Sequence, residues 1–421
     1  MDDGFDLGLF GLDVLGGDLA RSMAARKLSL AACPGPGSGA PVIDGVQTVN
    51  GIEELAKKLK SPRTLLLRAP QGFAEALRLL DSEDVIIDAS DSWFRDTHLR
   101  ANAAAAKGVH FLSAGLSRNE NGPSPLLMLG GRLESLNRVS RFLDAQDPTP
   151  ALLGHGPAGH FIKMAHAAVD NAFAEIVREI QLLLDRGLGA EAGDLLRARH
   201  GDPLFDCLRR PEAHCPSESG REMGRWAVRA GHELEIPMLT LEAASGVRSW
   251  PNRHALAEPF CQPHGALRDD SESVVAQAHG ALSVATILAY TEALALLTDV
   301  SGRLGLGIDV LETMRLWRVG VKSRARLLEE IQAAFEATPG LPNLLFDDDF
   351  SERVMEQQEF LRHAVWQADE WNIATPTLAS ALRYIDTSRG AWLPINLVQP
   401  HNFHWAPRPA LATAVTDWSL A

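Results

Sequence analysis

Gly8-Leu9-Phe10-Gly11-Leu12-Asp13-Val14-Leu15-Gly16 joins an apolar run to a helical pattern. Leu7–Gly11 predicts a strand ending in glycine, and Asp18–Lys27 predicts a helix. Strand, glycine turn and helix in this order form the arrangement of a dinucleotide-binding turn. Gly8, Gly11 and Gly16 would allow the sharp reversal and let the backbone approach a pyrophosphate at the helix N-terminus. The same glycines also suit a plain tight strand–helix turn, and both readings stay open on the glycines alone.

Working outward, Leu28–Cys33, Thr64–Arg68, Val85–Asp88 and Val109–Ser113 read as further strands. Ile52–Lys60, Phe73–Leu80 and Arg95–Ala106 read as the helices between them. This βαβα order predicts an α/β Rossmann-like domain with a mostly parallel sheet and helices on both faces. From about His155 the pattern changes. Ala158–Gly187, Ser271–Arg303, Val321–Thr338 and Asp348–Trp371 carry helical periodicity, and strand patterns nearly vanish. The expected organisation is a Rossmann-like domain over 1–155, a large all-helical domain over 156–380 and a tail over 381–421, irregular where Pro394, Pro400, Pro407 and Pro409 fall. Asp347-Asp348-Asp349 reads as a helix cap rather than a calcium loop.

With 421 residues, 46% of them hydrophobic and 22% charged, the chain has the make-up of a globular protein of two or three domains. A net charge of -14 argues against a nucleic-acid partner, which would need a basic face. Ala281–Leu297 is apolar but is broken by Glu292, which favours a buried core helix over a membrane span. Cys33, Cys207, Cys215 and Cys261 have neither metal-knuckle nor disulfide-framework spacing. Cys261 with His264, and His214 with Cys215, read as free thiols and surface histidines, so no metal is expected. Asp2, Asp3 and Asp6 stand where a signal peptide would need positive charge, and a cytoplasmic location is expected.

Lys163, His166 and Asp170 follow an i, i+3, i+7 spacing, which puts all three on one helical face. A lysine, an imidazole and a carboxylate so arranged can move protons. The same spacing also describes a solvated polar stripe.

Five ordered segments give the chain a wider resemblance. They are the Gly8–Gly16 turn, Ile86-Ile87-Asp88-Ala89-Ser90-Asp91-Ser92, Gly159-His160-Phe161-Ile162-Lys163-Met164-Ala165-His166, Pro339–Asp348 and Leu393-Pro394-Ile395-Asn396-Leu397-Val398-Gln399. In these the chain resembles the 6-phosphogluconate dehydrogenase family along nearly its whole length. The resemblance implies a homodimer that binds NADP and a small phosphorylated substrate. It implies that Lys163 is the general base for the substrate hydroxyl, that His166 contacts substrate, and that Asp170 replaces a glutamate that protonates the enediol. Ser117, Arg118 and Asn119 fall in the family's substrate loop, Asp91 in its asparagine-containing turn, and Asn171 where a tyrosine touches phosphate. Arg221, Arg248 and Arg389 correspond to phosphate-binding residues, Arg389 being supplied across the dimer. Met223 replaces that site's threonine, and His404 is a weak match for the family's tail histidine.

Other positions depart from the family. Asp13 stands where a small residue lets the backbone approach the pyrophosphate, and like charges there would cost on the order of several kcal/mol. Pro34-Gly35-Pro36 replaces the segment whose arginine grips the 2′-phosphate, and Arg68-Ala69-Pro70-Gln71 replaces a third cofactor-contacting turn. Arg118 and Asn119 replace two glycines near the nicotinamide. These departures lead to the expectation of an enzyme without NADP. It would act on a sugar phosphate, in specialised biosynthesis, by redox-neutral Lys163/Asp170 acid–base chemistry. NADP-dependent oxidative decarboxylation is the alternative, and a non-catalytic sugar-phosphate-binding homologue is the second alternative.

Overall fold

Apolar residues alternate in direction along the first strand, and this alternation sets the sheet between two helical layers. In the computed structural model, which describes residues 4–35, 43–144, 146–189, 207–209, 216–249 and 271–390, seven strands form one sheet. They are β1 (Leu7–Phe10), β2 (Leu30–Cys33), β3 (Val46–Thr48), β4 (Thr64–Leu67), β5 (Val85–Asp88), β6 (His110–Ser117) and β7 (Leu126–Gly131). Their spatial order is β3-β2-β1-β4-β5-β6-β7, and only β7, beside β6, runs antiparallel. The strand order reverses between β1 and β4, and ligands of open α/β sheets bind beyond the carboxyl ends of strands at such a point.

Leu7 and Leu9 face a core completed by Leu19, Ala20 and Met23 of α1 (Val14–Ala25) and by Val139, Phe142 and Leu143 of α5 (Leu133–Leu143). Phe10, Leu65, Leu67 and Ile86 face the opposite layer. That layer contains α2 (Ile52–Lys57), α3 (Phe73–Leu79) and α4 (Phe94–Ala106). Gly8 points into this second core, where a Cβ would lie 3.0 Å from both Leu59 and Leu65. Its smallness therefore serves helix-on-sheet packing within β1.

Beyond the sheet come α6 (Ala158–Leu188), α7 (Glu218–Glu233), α8 (Leu239–Arg248), α9 (Ser271–Arg303), α10 (Val310–Gly320), α11 (Ala325–Ala337), α12 (Asp348–Glu370) and α13 (Pro376–Arg389). Sequence periodicity anticipates α6, α9 and α12. It merges α11 with the turn before it, and it misses α7, α8, α10 and α13. Asp347 caps α12 by accepting from the Phe350 amide at 3.1 Å, with Asp348 and Asp349 in the first turn, as the acidic run predicts. The α9 window is apolar enough to cross a membrane by composition and length, yet 94% of it is buried among the protein's own side chains.

The chain divides into two compact units, residues 1–166 with 297–340, and residues 167–296 with 341–420. The first contains the sheet together with α10 and α11. The second has helices and no strand among its described residues, and α6 and α9 each run from one unit into the other.

Candidate functional site

The glycine turn sits at the carboxyl end of β1. Gly11 has φ +84°, a conformation in which side-chain-bearing residues are strained. Asp13 then caps α1, accepting from the Gly16 amide at 2.7 Å. The amides of Val14 and Leu15, at the first two positions of the helix, have no acceptor within it. Asp13 also receives two bonds from Arg68, from Nε at 3.0 Å and from Nη2 at 2.5 Å. Arg68 Nη1 donates to the Ala89 carbonyl, and Asp91 lies 3.6 Å from Nη2. Burial pushes the Asp13 carboxyl up, but the Arg68 bonds and the Gly16 amide outweigh it and hold the group below the usual carboxylate range. Burial likewise opposes the Arg68 charge, and Asp13 and Asp91 restore it.

The start of α6 lies on β6 and β7 because small residues meet there. A Cβ on Gly159 would run into the Ser113 and Met128 carbonyls. The Gly159 amide donates to Ser113 Oγ at 3.2 Å. This seating brings Lys163 against the end of β6, where its Nζ donates to Ser117 Oγ at 3.2 Å. The Ser117 hydroxyl is also 3.4 Å from His166 Nδ1. Lys163, His166 and Ser117 are all buried. Trp317 of α10 packs edge-on against the His166 ring, with centroids 4.9 Å apart. Arg118 is exposed in the loop after β6, and Asn119 closes a short turn by accepting from the Asn121 amide at 2.9 Å. That loop is pinned to the end of α10 through Asn121 Nδ2 and the Val319 carbonyl, 2.6 Å apart. The structure thus joins Lys163, His166 and Ser117 and adds Trp317, which sequence reasoning missed. A tryptophan within an apolar helical stripe carries no signal beyond packing.

In the second unit, Asp170 and Asn171 continue α6. Asn171 is buried and donates through Nδ2 to the Gly220 carbonyl at 3.2 Å. Arg248 Nε donates to the Asn171 carbonyl at 3.1 Å, and its Nη2 lies 3.6 Å from the buried Glu175 carboxylate. Glu175 also accepts from Arg178 at 3.0 Å. Arg221 Nη1 donates to the Pro216 carbonyl at 3.4 Å, and Arg389 Nη1 to Gln358 Oε1 at 2.6 Å. Arg248 and Asn171 are therefore brought together, while Arg221 and Arg389 are held by other partners. Glu175 is a further member of this cluster. The positions Pro36, His214, Cys215, Cys261, His264, Leu393–Gln399 and His404 lie outside the described residues. Among the described residues no group of His, Cys, Asp and Glu is arranged to hold a metal.

Residues 6–147 match the NAD binding domain of 6-phosphogluconate dehydrogenase, and residues 217–402 match the C-terminal domain of the same enzyme. The chain belongs to the 6-phosphogluconate dehydrogenase family. The decarboxylating 6-phosphogluconate dehydrogenase of Synechocystis sp. is 27% identical, over 98% of this chain and 97% of its own length. The chloroplastic enzyme of Oryza sativa, named as decarboxylating, is 28% identical over 98% of this chain and 93% of its own length. A Bacillus subtilis relative named as NADP(+)-dependent and decarboxylating is 25% identical over 93% of both chains. The solved 6-phosphogluconate dehydrogenase of Plasmodium falciparum shares the fold, with a TM-score of 0.78 and 21% identity over 94% of this chain and 95% of its own.

These relatives overturn the expectation of a redox-neutral enzyme without a nicotinamide cofactor. Homologues aligned over nearly the full length are named as decarboxylating dehydrogenases, and one of those names specifies NADP(+). The physical objection also falls. Asp13 is not an isolated charge: Arg68 pairs with it on two atoms, so the turn holds a guanidinium as well as a carboxylate. With Gly11 in its turn and the Val14 and Leu15 amides at the positive end of α1, the residues fit a dinucleotide diphosphate. Asp13 and the Arg68 turn, two separate losses when read along the sequence, form one pair in the fold.

Proposed function

We propose that this family member oxidatively decarboxylates a phosphorylated sugar acid such as 6-phosphogluconate with NADP. The observation that carries the reading is the buried Lys163–Ser117–His166 set, on a chain aligned over 98% of its length with a decarboxylating 6-phosphogluconate dehydrogenase. NADP, when bound, supplies the hydride acceptor, held by the Gly11 turn and the amides of Val14 and Leu15.

Lys163 Nζ, already hydrogen-bonded to the Ser117 hydroxyl, takes the proton from the substrate hydroxyl as the carbon is oxidised. His166, its ring fixed by Trp317, orients the substrate. Asp170 returns a proton to the enediol after carbon dioxide leaves. Its shorter side chain requires a closer substrate than a glutamate would. Arg248 and Arg221 take the phosphate, with Arg389 of a second copy joining them in a homodimer.

Following NADPH formation at 340 nm with 6-phosphogluconate tests this directly. Stoichiometric NADPH and carbon dioxide support it. No turnover by folded protein with either NADP or NAD overturns it.

A further inference from the structure

Arg68 closes β4 and crosses over the start of α1. A Cβ built on Gly16 would lie 3.0 Å from Arg68 Cγ, which places the side chain directly against the helix N-terminus. The guanidinium is almost wholly buried, with 2% side-chain exposure, while its counter-ion Asp13 is 51% exposed. A desolvated cation is therefore held on its solvent side by a carboxylate at the surface. Asp91 offers it a second, longer contact at 3.6 Å, and the Ala89 carbonyl ties down Nη1. This turn lies within residues 6–147, which match an NAD binding domain.

Asp13 accepts from both the Gly16 amide in the first turn of α1 and the Arg68 guanidinium, so a diphosphate drawn to that turn would be placed beside the same guanidinium. Arginine pairs with phosphate oxygens through two parallel bonds, as it does with a carboxylate, and one edge of the fork cannot serve both. We propose that Asp13 is an internal competitor for Arg68, and that cofactor binding exchanges the Asp13 carboxylate for the cofactor's diphosphate on that guanidinium. The pair thereby sets how tightly this chain holds its nicotinamide cofactor. The idea rests on the NADP reading above. It assigns Arg68 a ligand contact and Asp13 a role in tuning affinity.

The test is calorimetric titration of the full chain with NADP, comparing wild type, Asp13→Asn and Arg68→Met. Asparagine keeps the helix cap and removes the charge. The expected result is a roughly tenfold tighter Kd for Asp13→Asn and at least roughly tenfold weaker binding for Arg68→Met. Thermal melting without ligand checks that each variant folds. If Arg68→Met does not, Arg68→Lys replaces it, and its single ammonium should also weaken binding. Wild-type binding that Asp13→Asn leaves unchanged or weakens overturns the exchange while leaving the NADP reading intact. Full affinity in a folded Arg68 variant does the same. Absence of NADP binding by both wild type and Asp13→Asn removes the NADP reading, and the exchange with it.

Discussion

Glu179 and Glu292 occupy equivalent places in the helical unit, each a buried carboxylate that receives two backbone amides from the start of another helix. Glu179, on α6, accepts from Thr377 and Leu378 at 2.9 Å each, at the N-terminus of α13. Glu292, on α9, accepts from Thr240 and Leu241 at 2.9 and 3.0 Å, at the N-terminus of α8. Each cap satisfies two amides that lack intrahelical acceptors and ties two helices together across many residues of sequence. Burial nonetheless outweighs these bonds and raises both carboxyls from 4.5 to about 7.

A folded-state pKa raised above the unfolded value favours the folded state when the group is protonated. The contribution is fully present below the unfolded value of 4.5 and is lost as pH rises through about 7. The expected magnitude is about 3 kcal/mol per group. Urea unfolding of the wild type should therefore show stability falling between pH 4.5 and about 7, apart from other titrations in that range. Glu292→Gln, which cannot titrate, should flatten this slope. An unchanged slope in that variant would show that Glu292 is not its source.

Lys163→Met should reduce kcat by roughly 10²–10⁴, the range for loss of a positioned general base, with little change in substrate affinity. Ser117→Ala removes the hydroxyl that accepts from Lys163 Nζ at 3.2 Å. It should displace the acidic limb of the kcat pH profile, where Lys163 must lose its proton to act as base, rather than only scale the rate. A uniformly lowered profile would assign Ser117 a packing role.

Trp317 is fully buried against His166, so Trp317→Ala should cost about 3–5 kcal/mol of stability. Trp317→Phe keeps an aromatic ring at this position and should fold well while raising KM, since His166 loses part of its support. Melting temperature and KM measured together separate the two effects. Unchanged KM in the folded Phe variant would remove Trp317 from substrate positioning.

Arg248→Ala leaves the buried Glu175 without its 3.6 Å neighbour and takes a donor from the Asn171 carbonyl. We expect a rise in KM for 6-phosphogluconate of about a hundredfold or more and a lower melting temperature. Adding the conservative Arg248→Lys tests the fork geometry, because a point charge should recover stability better than affinity. A normal KM in either folded variant would argue against Arg248 as a phosphate ligand.

Much of the fold was legible because its signals are local. Strand, glycine turn and helix recur over the first hundred residues, and the α6 stripe carries Lys163, His166 and Asp170 on one face through spacing alone. Elements were missed where local pattern is weak. β7 is wholly buried, so it lacks the alternation of a half-exposed strand. The helices α7, α8 and α13 draw their definition from packing and from caps, two of which are supplied by Glu179 and Glu292 from distant parts of the chain.

Periodicity and motif spacing act within a few residues, so the Rossmann-like order, the family and the α6 face that carries Lys163, His166 and Asp170 could be read from the chain alone. The charge balance of the Gly11–Gly16 turn emerges only on folding. Asp13 and Arg68 are 55 residues apart, and read singly each is a lost contact. Folded, they neutralise each other where β1 and β4 end side by side, because parallel pairing brings the two turns together and a desolvated guanidinium requires a counter-ion.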